Sequence, residues 1–547
     1  MTTDENITIS SYDQFKAKYE PTLSKLDVNR TTNPFYLIHG LPKDLKQSTS
    51  PVYLAGGMPH ESMFPFKHVS VKYRDTPGVL GELDGSSIAE NESSKSYEIP
   101  LYSDDSVKEQ QCDIARAFQY SDTVGLESLR QFTRSIVKKV NTPIYDNWDV
   151  LITAGSSDSL SKVCDLFVDE DTTVLCEEFT FVNICSHVSY AQGSCVPIKL
   201  EVSDDPKTQG IDTGYLSDLL ENWSTHYPDK KKKLVLYTIA TGQNPTGLTQ
   251  SLEKRKEIYD ICCKHNVIIL EDDPYGYLQL PKYDHENPLK NPYQDKSITL
   301  DIFCSKLLKP SYMTIDTEGR VLRLETFSKV GSPGLRLGFI AANKYMIDRL
   351  SNISFMTSRN PSGISQSITN NLLFELGTRY QKEVNPKANI IDGWFNWCMK
   401  IAGEYTHRRN ILFKAIYQTD AYKKGYFQIL EPSCGMFASV VVNMKPEWVS
   451  SENKTERKDQ IKRVMDYLLC CLLETGCLPI LGYKMTICRD FSMERANFLR
   501  ITFAKAESIE VFDMGAKNMS AAFERLHQEY MTDKELWDLP TTGLVGM

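Results

Sequence analysis

The chain of 547 residues lacks any uninterrupted apolar run of about 18 residues, the length that a helix needs to cross a bilayer. It contains 14 cysteines, yet none are paired at the CxxC spacing that many zinc sites use. The first residues, Met1–Ile7, have neither an apolar core nor an arginine-rich amphipathic pattern of the kind found in targeting signals. We therefore expect no membrane span and no metal site, and we expect a cytoplasmic protein whose cysteines are buried free thiols.

Clusters of positive charge are also scarce. The net charge is −9 at pH 7, and Lys230–Lys233 is the one run of four lysines, which a solvated loop explains. This balance argues against nonspecific nucleic-acid binding. Apolar residues make up 41% and charged residues 24% of the chain, as in ordinary globular proteins, and its length predicts more than one domain.

The middle of the chain alternates short β-rich runs with helical patterns. Most of the runs are continuously apolar, which is typical of strands covered on both faces. Leu252–His265, between the third and fourth runs, has its apolar residues on one helical face. This order predicts an α/β fold with a mostly parallel central sheet wound with helices, and ligands at the carboxyl ends of the strands. The predicted strands are Val150–Thr153, Thr173–Cys176, Leu234–Ala240, Val267–Leu270, Val321–Leu324 and Gly338–Ala341.

The flanking regions read differently. Residues 80–110 are rich in Ser, Glu, Asp and Gly and predict a solvated or disordered insertion, and residues 282–318 predict a second insertion. From about residue 385 a long helix through Trp394–Ala415 leads into a mixed α+β region. We predict an N-terminal segment, 1–115, that contributes to a small domain; a large cofactor-binding domain, 116–385; and a small C-terminal domain, 386–547.

The stretch Glu325–Phe339 contains a lysine, Lys329, that follows the apolar strand run directly. Ser328 precedes it and Arg336 lies seven residues after it, so a hydroxyl and a guanidinium suited to phosphate oxygens flank the amine. A lysine amine in such a place can hold the aldehyde of pyridoxal phosphate covalently once burial or nearby cations lower its pKa. Taken alone, Lys329 could equally be a solvated lysine; three further motifs favour the functional interpretation.

The first of these, Thr153–Val163, ends a strand near Gly155 and opens a helix at Ser156 and Ser157. Free backbone N–H groups and the helix dipole make such a start a phosphate site. A serine at a helix start is also a common cap without any ligand, and that alternative stays open for the motif alone.

The other two motifs also follow predicted strands. Thr241–Gly247 reads Thr-Gly-Gln-Asn-Pro-Thr-Gly, and it places the Asn244 amide where it could donate to a ring oxygen, although such a loop could simply be a turn. The apolar strand beginning at Val267 delivers Asp272 and Tyr275. A carboxylate against a pyridine nitrogen keeps that nitrogen protonated, and a phenol near the 3-oxygen would tune the ring.

These motifs together resemble the class I/II aminotransferases, pyridoxal-phosphate enzymes of fold type I. Within them the chain is most similar to the fungal aromatic amino acid aminotransferases and to the kynurenine/aminoadipate aminotransferases. The resemblance covers about residues 33 to 506, apart from the two insertions. Two further blocks carry it, Leu54–Phe66 and the set Gln119, Tyr120, Gly125, Leu129 and Arg130.

The resemblance implies a role for each matching residue at the cofactor. Lys329 would bind the cofactor and then move the substrate proton. Asp272 would pair with the pyridine nitrogen, and Asn244 and Tyr275 would bind the 3-oxygen. Phe181 would stack on the ring where many relatives have Tyr. The phosphate would be held by Ser156, Ser157, Ser328, Arg336 and, from the partner subunit of a homodimer with shared active sites, Tyr120.

The resemblance also implies the substrate-binding residues. Arg500 would clamp the substrate α-carboxylate, with Asn244 and Gly57 lining the site. Relatives that use aminoadipate carry an arginine near Tyr36, and a tyrosine cannot neutralise a distal carboxylate as arginine does. The hypothesis is therefore transfer of an amino group from an aromatic amino acid to 2-oxoglutarate.

Other functions remain open on the sequence alone. A 2-aminoadipate or kynurenine aminotransferase is the nearest alternative, and a lyase or decarboxylase with the same cofactor is not excluded by these motifs. A regulator that binds the cofactor without catalysis would need a DNA-binding module before residue 50, and no such pattern is present.

Overall fold

The computed structural model describes residues 9–30, 44–46, 48–50, 52, 54, 57–81 and 95–530. Tyr36 and residues 82–94 of the predicted 80–110 insertion lie outside this part of the chain. The rest of that insertion is not all loop, because residues 95–100 form a strand. The second predicted insertion, 282–318, contains short helical turns between its prolines.

The strands of the described residues fall into two main sheets and two small pairs. They are β1 (His68–Tyr73), β2 (Lys95–Pro100), β3 (Trp148–Thr153), β4 (Thr172–Glu177), β5 (Ser194–Ile198), β6 (Leu200–Glu201), β7 (Gly210–Ile211), β8 (Lys233–Thr238), β9 (Ile268–Asp273), β10 (Val321–Thr326), β11 (Gly338–Asn343), β12 (Phe427–Leu430), β13 (Phe437–Val442), β14 (Ile480–Leu481) and β15 (Phe498–Thr502).

Helices connect and cover these strands. They are α1 (Tyr12–Tyr19), α2 (Lys25–Val28), α3 (Ile114–Ala117), α4 (Glu127–Val140), α5 (Ser156–Phe167), α6 (Asn183–Tyr190), α7 (Thr213–Glu221), α8 (Trp223–His226), α9 (Leu252–Lys264), α10 (Leu300–Ile302), α11 (Lys344–Met356), α12 (Gly363–Glu383), α13 (Asp392–Tyr417), α14 (Asp420–Lys423), α15 (Lys454–Thr475), α16 (Arg489–Ser492) and α17 (Ile509–Glu529).

The large sheet has the strand order β3-β11-β10-β9-β8-β4-β5. All its pairings are parallel except those of β11, which runs antiparallel to both neighbours. Strands β4, β9, β10 and β11 are buried along their whole length, because helices cover both faces of the sheet. The predicted α/β fold with a mostly parallel, helix-wound sheet is confirmed.

Two differences from the predicted strands have physical causes. The prediction ended the β9 strand at Leu270, whereas β9 continues to Asp273 because its acidic side chains find buried partners. The prediction omitted β5, a short edge strand that contains Pro197 and pairs with β4 alone. A proline there reads as a strand breaker, yet an edge strand tolerates one.

The second main sheet is antiparallel, with the order β12-β13-β15-β14. The long helices α13 and α15 both pack on α17, which contacts β12 through the rings of Phe523 and Phe427. Residues 9–30 contact the large-sheet side of the molecule, where the Phe15 ring packs on Tyr145 at 5.2 Å and Ser24 donates its N–H to the Leu166 carbonyl. The division at 1–115, 116–385 and 386–547 stays a prediction.

Among the described residues, no helix combines the length and the apolar character needed to cross a membrane. The 14 cysteines are all free thiols.

Candidate active site

Lys329 lies in the turn that follows β10, at the carboxyl end of the strand. Its side chain is half-buried. Burial lowers the pKa of its amine, and the nearby guanidinium groups of Arg336 and Arg500 lower it further. A lowered pKa increases the fraction of neutral amine, the form that attacks a carbonyl carbon and accepts a proton.

Asp272 lies near the carboxyl end of β9, the strand next to β10, and is 3% exposed. Burial raises its pKa to about 7, although the Tyr237 hydroxyl donates to its Oδ2 at 2.7 Å and lowers the pKa. Its other oxygen, Oδ1, is buried and has no hydrogen-bond partner among the described residues. A buried carboxylate oxygen without a donor is suited to a protonated ring nitrogen.

Arg500 and Asn244 connect the two main sheets, because Arg500 lies on β15 and Asn244 lies in the loop after β8. Arg500, on β15, donates from Nη1 to Oδ1 of Asn244 at 2.7 Å, and its guanidinium carbon lies 4.3 Å from the Phe437 ring centre. Burial lowers the pKa of Arg500, and no carboxylate of the described residues contributes to that shift. Its planar fork is therefore available to a carboxylate from outside the chain.

Tyr275 lies beside this pair. It is buried, and burial together with the Asp272 charge raises the pKa of its hydroxyl, so the phenol keeps its proton. Its ring packs edge-on against Phe437, with the ring centres 5.7 Å apart. Asn244, Tyr275 and Arg500 thus share one aromatic wall at the junction of the two main sheets.

The turn between β3 and α5 forms an anion cradle. Gly155 has φ 87° and ψ 177°, a conformation essentially confined to glycine, and α5 begins at Ser156 without a side-chain cap. Arg336 reaches this turn, donating from Nη2 to the Ala154 carbonyl at 3.3 Å. A β-carbon added to Gly155 would lie 2.6 Å from that nitrogen. Uncapped N–H groups at a helix start and a guanidinium suit a phosphate group.

Ser157 and Ser328 lie at the same edge of the sheet. Ser157 is the second residue of α5 and is exposed. Ser328 precedes Lys329, and its hydroxyl lies 2.9 Å from the hydroxyl of Thr326, the last residue of β10. The two predicted phosphate-binding hydroxyls therefore flank the cradle from two neighbouring loops.

Phe181 follows β4 in a loop whose backbone contacts the segment between β14 and β15. Within that loop Phe179 forms an isolated bridge with Thr486, and Thr180 donates its N–H to the Met485 carbonyl. Phe181 itself is half-buried against the core. A half-buried aromatic ring after β4 is consistent with the predicted stacking role.

Two further predicted site residues, Tyr120 and Gly57, are exposed in the single chain. Tyr120 is 62% exposed and lines a surface pocket of about 470 Å³ formed by Glu61 and by residues 102–127. The Arg359 guanidinium lies 5.3 Å from its ring centre. Gly57 is exposed, and a β-carbon there would meet no atom of the described residues within 4 Å.

Sequence reasoning missed Tyr237, the residue that donates to Asp272. Tyr237 lies within the apolar β8 run and is fully buried. A buried phenol needs a hydrogen-bond partner, so its presence in a strand was a usable signal. The partner itself could not be named from the sequence, because it belongs to a strand 35 residues further along the chain.

A second missed feature is a buried charge network on the opposite face of β9 and β10. Arg323 donates to Asp273 at 2.5 Å and to Glu325 at 2.7 Å, and lies 3.2 Å from Glu271. Since β9 and β10 pair in parallel with Arg323 opposite Glu271, these contacts support the register that places Asp272 and Lys329 at the same edge.

A third missed feature is a buried ion pair at the junction of the two main sheets. Glu178 follows β4 and its side chain is fully buried. Arg495, shortly before β15, donates to it from Nε to Oε1 at 2.9 Å and from Nη2 to Oε2 at 2.7 Å. The pair connects the loop that carries Phe181 to the strand that carries Arg500.

Pyridoxal 5′-phosphate fits this arrangement on three observations. The unpartnered Oδ1 of Asp272 suits the ring nitrogen, and the uncapped start of α5 beside Arg336 suits the phosphate. The lowered pKa of Lys329 suits the aldehyde. The donor set matches an anionic, protonated pyridine in both charge and position.

Comparisons with known proteins agree with this geometry. The profile of the family "Aminotransferase class I and II" matches residues 101–512. Over 526 residues the chain is 37% identical to aromatic amino acid aminotransferase 2 of Saccharomyces cerevisiae, covering 95% of this chain and 98% of that protein. It is 30% identical over 427 residues to an aromatic amino acid aminotransferase of Schizosaccharomyces pombe, covering 78% and 82% respectively.

Solved structures give the same result. The crystal structure of the aromatic aminotransferase Aro9 from Candida albicans is 36% identical and superposes with a TM-score of 0.80, covering 93% of this chain and 98% of that one. A kynurenine aminotransferase from Pyrococcus horikoshii shares the fold, at 20% identity and a TM-score of 0.55. The resemblance stated from the motifs is confirmed: the chain belongs to the class I and II aminotransferases, and its cofactor is pyridoxal 5′-phosphate.

Proposed function

We propose that the protein transfers the amino group of an aromatic amino acid, phenylalanine, tyrosine or tryptophan, to 2-oxoglutarate, giving an aromatic 2-oxo acid and glutamate. The observation that carries the proposal is the half-buried Lys329 amine, whose pKa is lowered by burial and by the charges of Arg336 and Arg500. One guanidinium belongs to the phosphate cradle and the other is available to a substrate carboxylate. A neutral amine that is close enough to feel both charges can take a proton from the α-carbon of a substrate held there.

The chain's own residues then divide the work. Arg500 binds the α-carboxylate through its fork and orients the α-carbon toward Lys329, whose Nζ takes up the proton that leaves this carbon. Asp272 would hold the ring nitrogen as an ionised acceptor, and Asn244 and Tyr275 would donate to the 3-oxygen. When bound, pyridoxal phosphate supplies the electron sink that makes the proton acidic.

The preference for aromatic donors is supported by the names of relatives. Besides the two yeast proteins, an L-tyrosine:2-oxoglutarate aminotransferase of Serpula lacrymans is 29% identical over 380 residues. A 2-aminoadipate or kynurenine aminotransferase is the alternative. Tyr36, Gly57 and Asn244 stay proposed residues of the substrate pocket, and Tyr36 lies outside the described residues.

A donor comparison tests this preference. We expect kcat/KM for phenylalanine to exceed that for 2-aminoadipate by at least about tenfold, with 2-oxoglutarate as the acceptor, because the distal carboxylate of aminoadipate would be desolvated without a pairing arginine. A reversed ratio would assign the enzyme to the aminoadipate group. Equal values would mean that the pocket does not discriminate at the side chain.

We extend the proposal to assembly and location. The enzyme acts as a cytoplasmic homodimer with shared active sites, in which Tyr120 reaches the phosphate bound by the partner subunit. The exposure of Tyr120 at the surface of the single chain supports this arrangement. Such a dimer would bury a ring that is 62% exposed in the single chain.

A further inference from the structure

The bond between Tyr237 and Asp272 links two neighbouring parallel strands of the large sheet. Tyr237 lies opposite Leu270 in the β8–β9 register, so its side chain reaches forward by two residues to Asp272. Its hydroxyl donates to Oδ2 at 2.7 Å, and both side chains are buried. Burial and the Asp272 charge raise the pKa of the phenol well above its ordinary value, so the phenol keeps its proton and remains the donor.

Asp272 needs such a donor because most of its other surroundings favour its neutral, protonated form. The carboxyl groups of Asp273 and Glu177 favour its protonated form, and so does burial. Arg323 favours the ionised form, but it donates its own hydrogen bonds to Glu325 and Asp273 on the opposite face of β9 and β10. A protonated Asp272 could not stabilise a protonated ring nitrogen, since it would no longer supply a negative charge.

We propose that Tyr237 is a positioning residue for transamination: it holds Oδ2 of Asp272 against β8, so that Oδ1 meets the cofactor's ring nitrogen as an ionised acceptor. The inference rests on the proposed role of Asp272. It assigns to a tyrosine outside the family motifs the task of keeping the ring nitrogen protonated. The two oxygens of Asp272 then have separate tasks, one structural and one toward the cofactor.

The direct test follows the ring nitrogen itself. Wild-type and Tyr237→Phe enzymes are loaded with pyridoxal phosphate labelled with ¹⁵N in the ring, and the nitrogen chemical shift is recorded by NMR across pH. In Tyr237→Phe the shift moves toward that of a neutral pyridine. In steady state kcat falls about tenfold or more, the loss expected for a hydrogen bond to a charged group, while KM for phenylalanine stays within about twofold.

Tyr259→Phe is the matched control. Tyr259 is another buried tyrosine whose hydroxyl donates to a buried aspartate, Asp316, at 2.9 Å. Both oxygens of Asp316 also accept backbone N–H groups, from Arg320 and Val321, so this pair serves the loop before β10. The control loses the same single oxygen and some stability, but leaves the ¹⁵N shift and kcat unchanged.

A double variant separates this inference from the proposed function. Asp272→Asn moves the ¹⁵N shift on its own, and adding Tyr237→Phe to it produces no further movement. If Asp272→Asn leaves the shift and kcat unaltered, the proposed role of Asp272 is wrong. If Asp272→Asn moves them while Tyr237→Phe does not, the role given to Tyr237 alone is overturned.

A second substitution covers the case in which Tyr237→Phe folds poorly. Replacing Tyr237 by 3-fluorotyrosine keeps the hydroxyl and makes it a stronger donor, since fluorine lowers the pKa of a phenol. At a pH high enough to deprotonate part of the wild-type ring nitrogen, the shift in the fluorinated enzyme then lies closer to that of the protonated form. A movement toward neutral pyridine, or none, would overturn the inference.

Discussion

Lys329, Asp272 and Arg500 share one electrostatic property. Burial is the largest cause of each pKa shift, and each shift favours the neutral form of the group. Charges that ordinary water would stabilise are therefore left to be stabilised by a ligand. A substrate carboxylate can pair with Arg500 and a protonated pyridine with Asp272, while the neutral amine of Lys329 is the form that reacts with the aldehyde.

The raised pKa of Asp272 should make the stability of the cofactor-free protein depend on pH, which can be measured. Between the ordinary pKa of 3.8 and the folded value of about 7, the folded protein holds a proton that the unfolded chain releases. The stabilisation of the folded state by the proton on Asp272 is thus fully present below pH 4 and is lost as the pH rises through 7. We expect Asp272→Asn to remove this loss and to be more stable than the wild type at pH 8, by a few kcal/mol at most.

Chemical denaturation of the cofactor-free proteins from pH 4 to pH 8 measures the effect. Asp105→Asn serves as the control, because the Asp105 side chain is 98% exposed and its replacement leaves the slope unaltered. Parallel curves for the wild type and Asp272→Asn would contradict the account.

At the scale of elements, the strands were predictable where burial on both faces imposes an apolar run. The lysine, aspartate and asparagine positions followed because each motif directly continues such a run. The contacts that orient them were not predictable. Two hydrogen bonds, from Tyr237 to Asp272 and from Arg323 to Asp273, require particular strands to be neighbours. The strand order is a property of the whole sheet.

The turn from β3 into α5 gives a prediction at this scale. Gly155→Ala introduces a β-carbon that collides with Nη2 of Arg336 and a backbone conformation that alanine adopts only at a cost of about 1–3 kcal/mol. We expect the cofactor dissociation constant to rise about tenfold or more, as measured by fluorescence titration of the cofactor-free protein. Gly515→Ala, in α17 where a β-carbon meets nothing within 4 Å, is the control. Equal affinity in the two variants would show that the turn does not carry the phosphate.

At the scale of the whole molecule, the site depends on contacts between the two main sheets. Glu178 and Arg495 join the Phe181 loop to the strand of Arg500, and Ser439 donates from its hydroxyl to the Thr246 carbonyl. These bonds cross the junction at which the substrate carboxylate is expected. The relative position of the two sheets therefore enters directly into substrate binding.

Breaking the ion pair should reveal this dependence. Arg495→Met leaves the fully buried Glu178 charge unpaired, which costs about 3–5 kcal/mol of stability, and Arg495→Lys keeps the charge without the fork and loses less. We expect KM for phenylalanine to rise more than kcat falls in Arg495→Lys. Arg525→Met, which removes an exposed pair with Glu474, changes stability by about 1 kcal/mol or less and leaves KM alone. The same KM in Arg495→Lys and the wild type would contradict the coupling.

A subunit-mixing experiment tests the proposed shared site. Lys329→Ala and Tyr120→Ala proteins are each expected to be nearly inactive. If Tyr120 serves the partner subunit, a hybrid dimer contains one site with both native residues, and a randomised mixture recovers about a quarter of wild-type activity. No recovery, with hybrid formation verified by native mass spectrometry, would place Tyr120 in the site of its own subunit, and a fully active Tyr120→Ala protein would place it outside any site.

The central claim is that this chain carries an amino group from an aromatic amino acid to 2-oxoglutarate through Lys329. The most direct measurement mixes the cofactor-loaded enzyme with phenylalanine, without any oxo acid, and follows the visible absorbance of the bound cofactor. We predict loss of the band with release of stoichiometric phenylpyruvate, recovery on adding 2-oxoglutarate with formation of glutamate, and no response in Lys329→Ala. An unchanged band with phenylalanine, or a lost band that 2-oxoglutarate does not restore, would contradict the account.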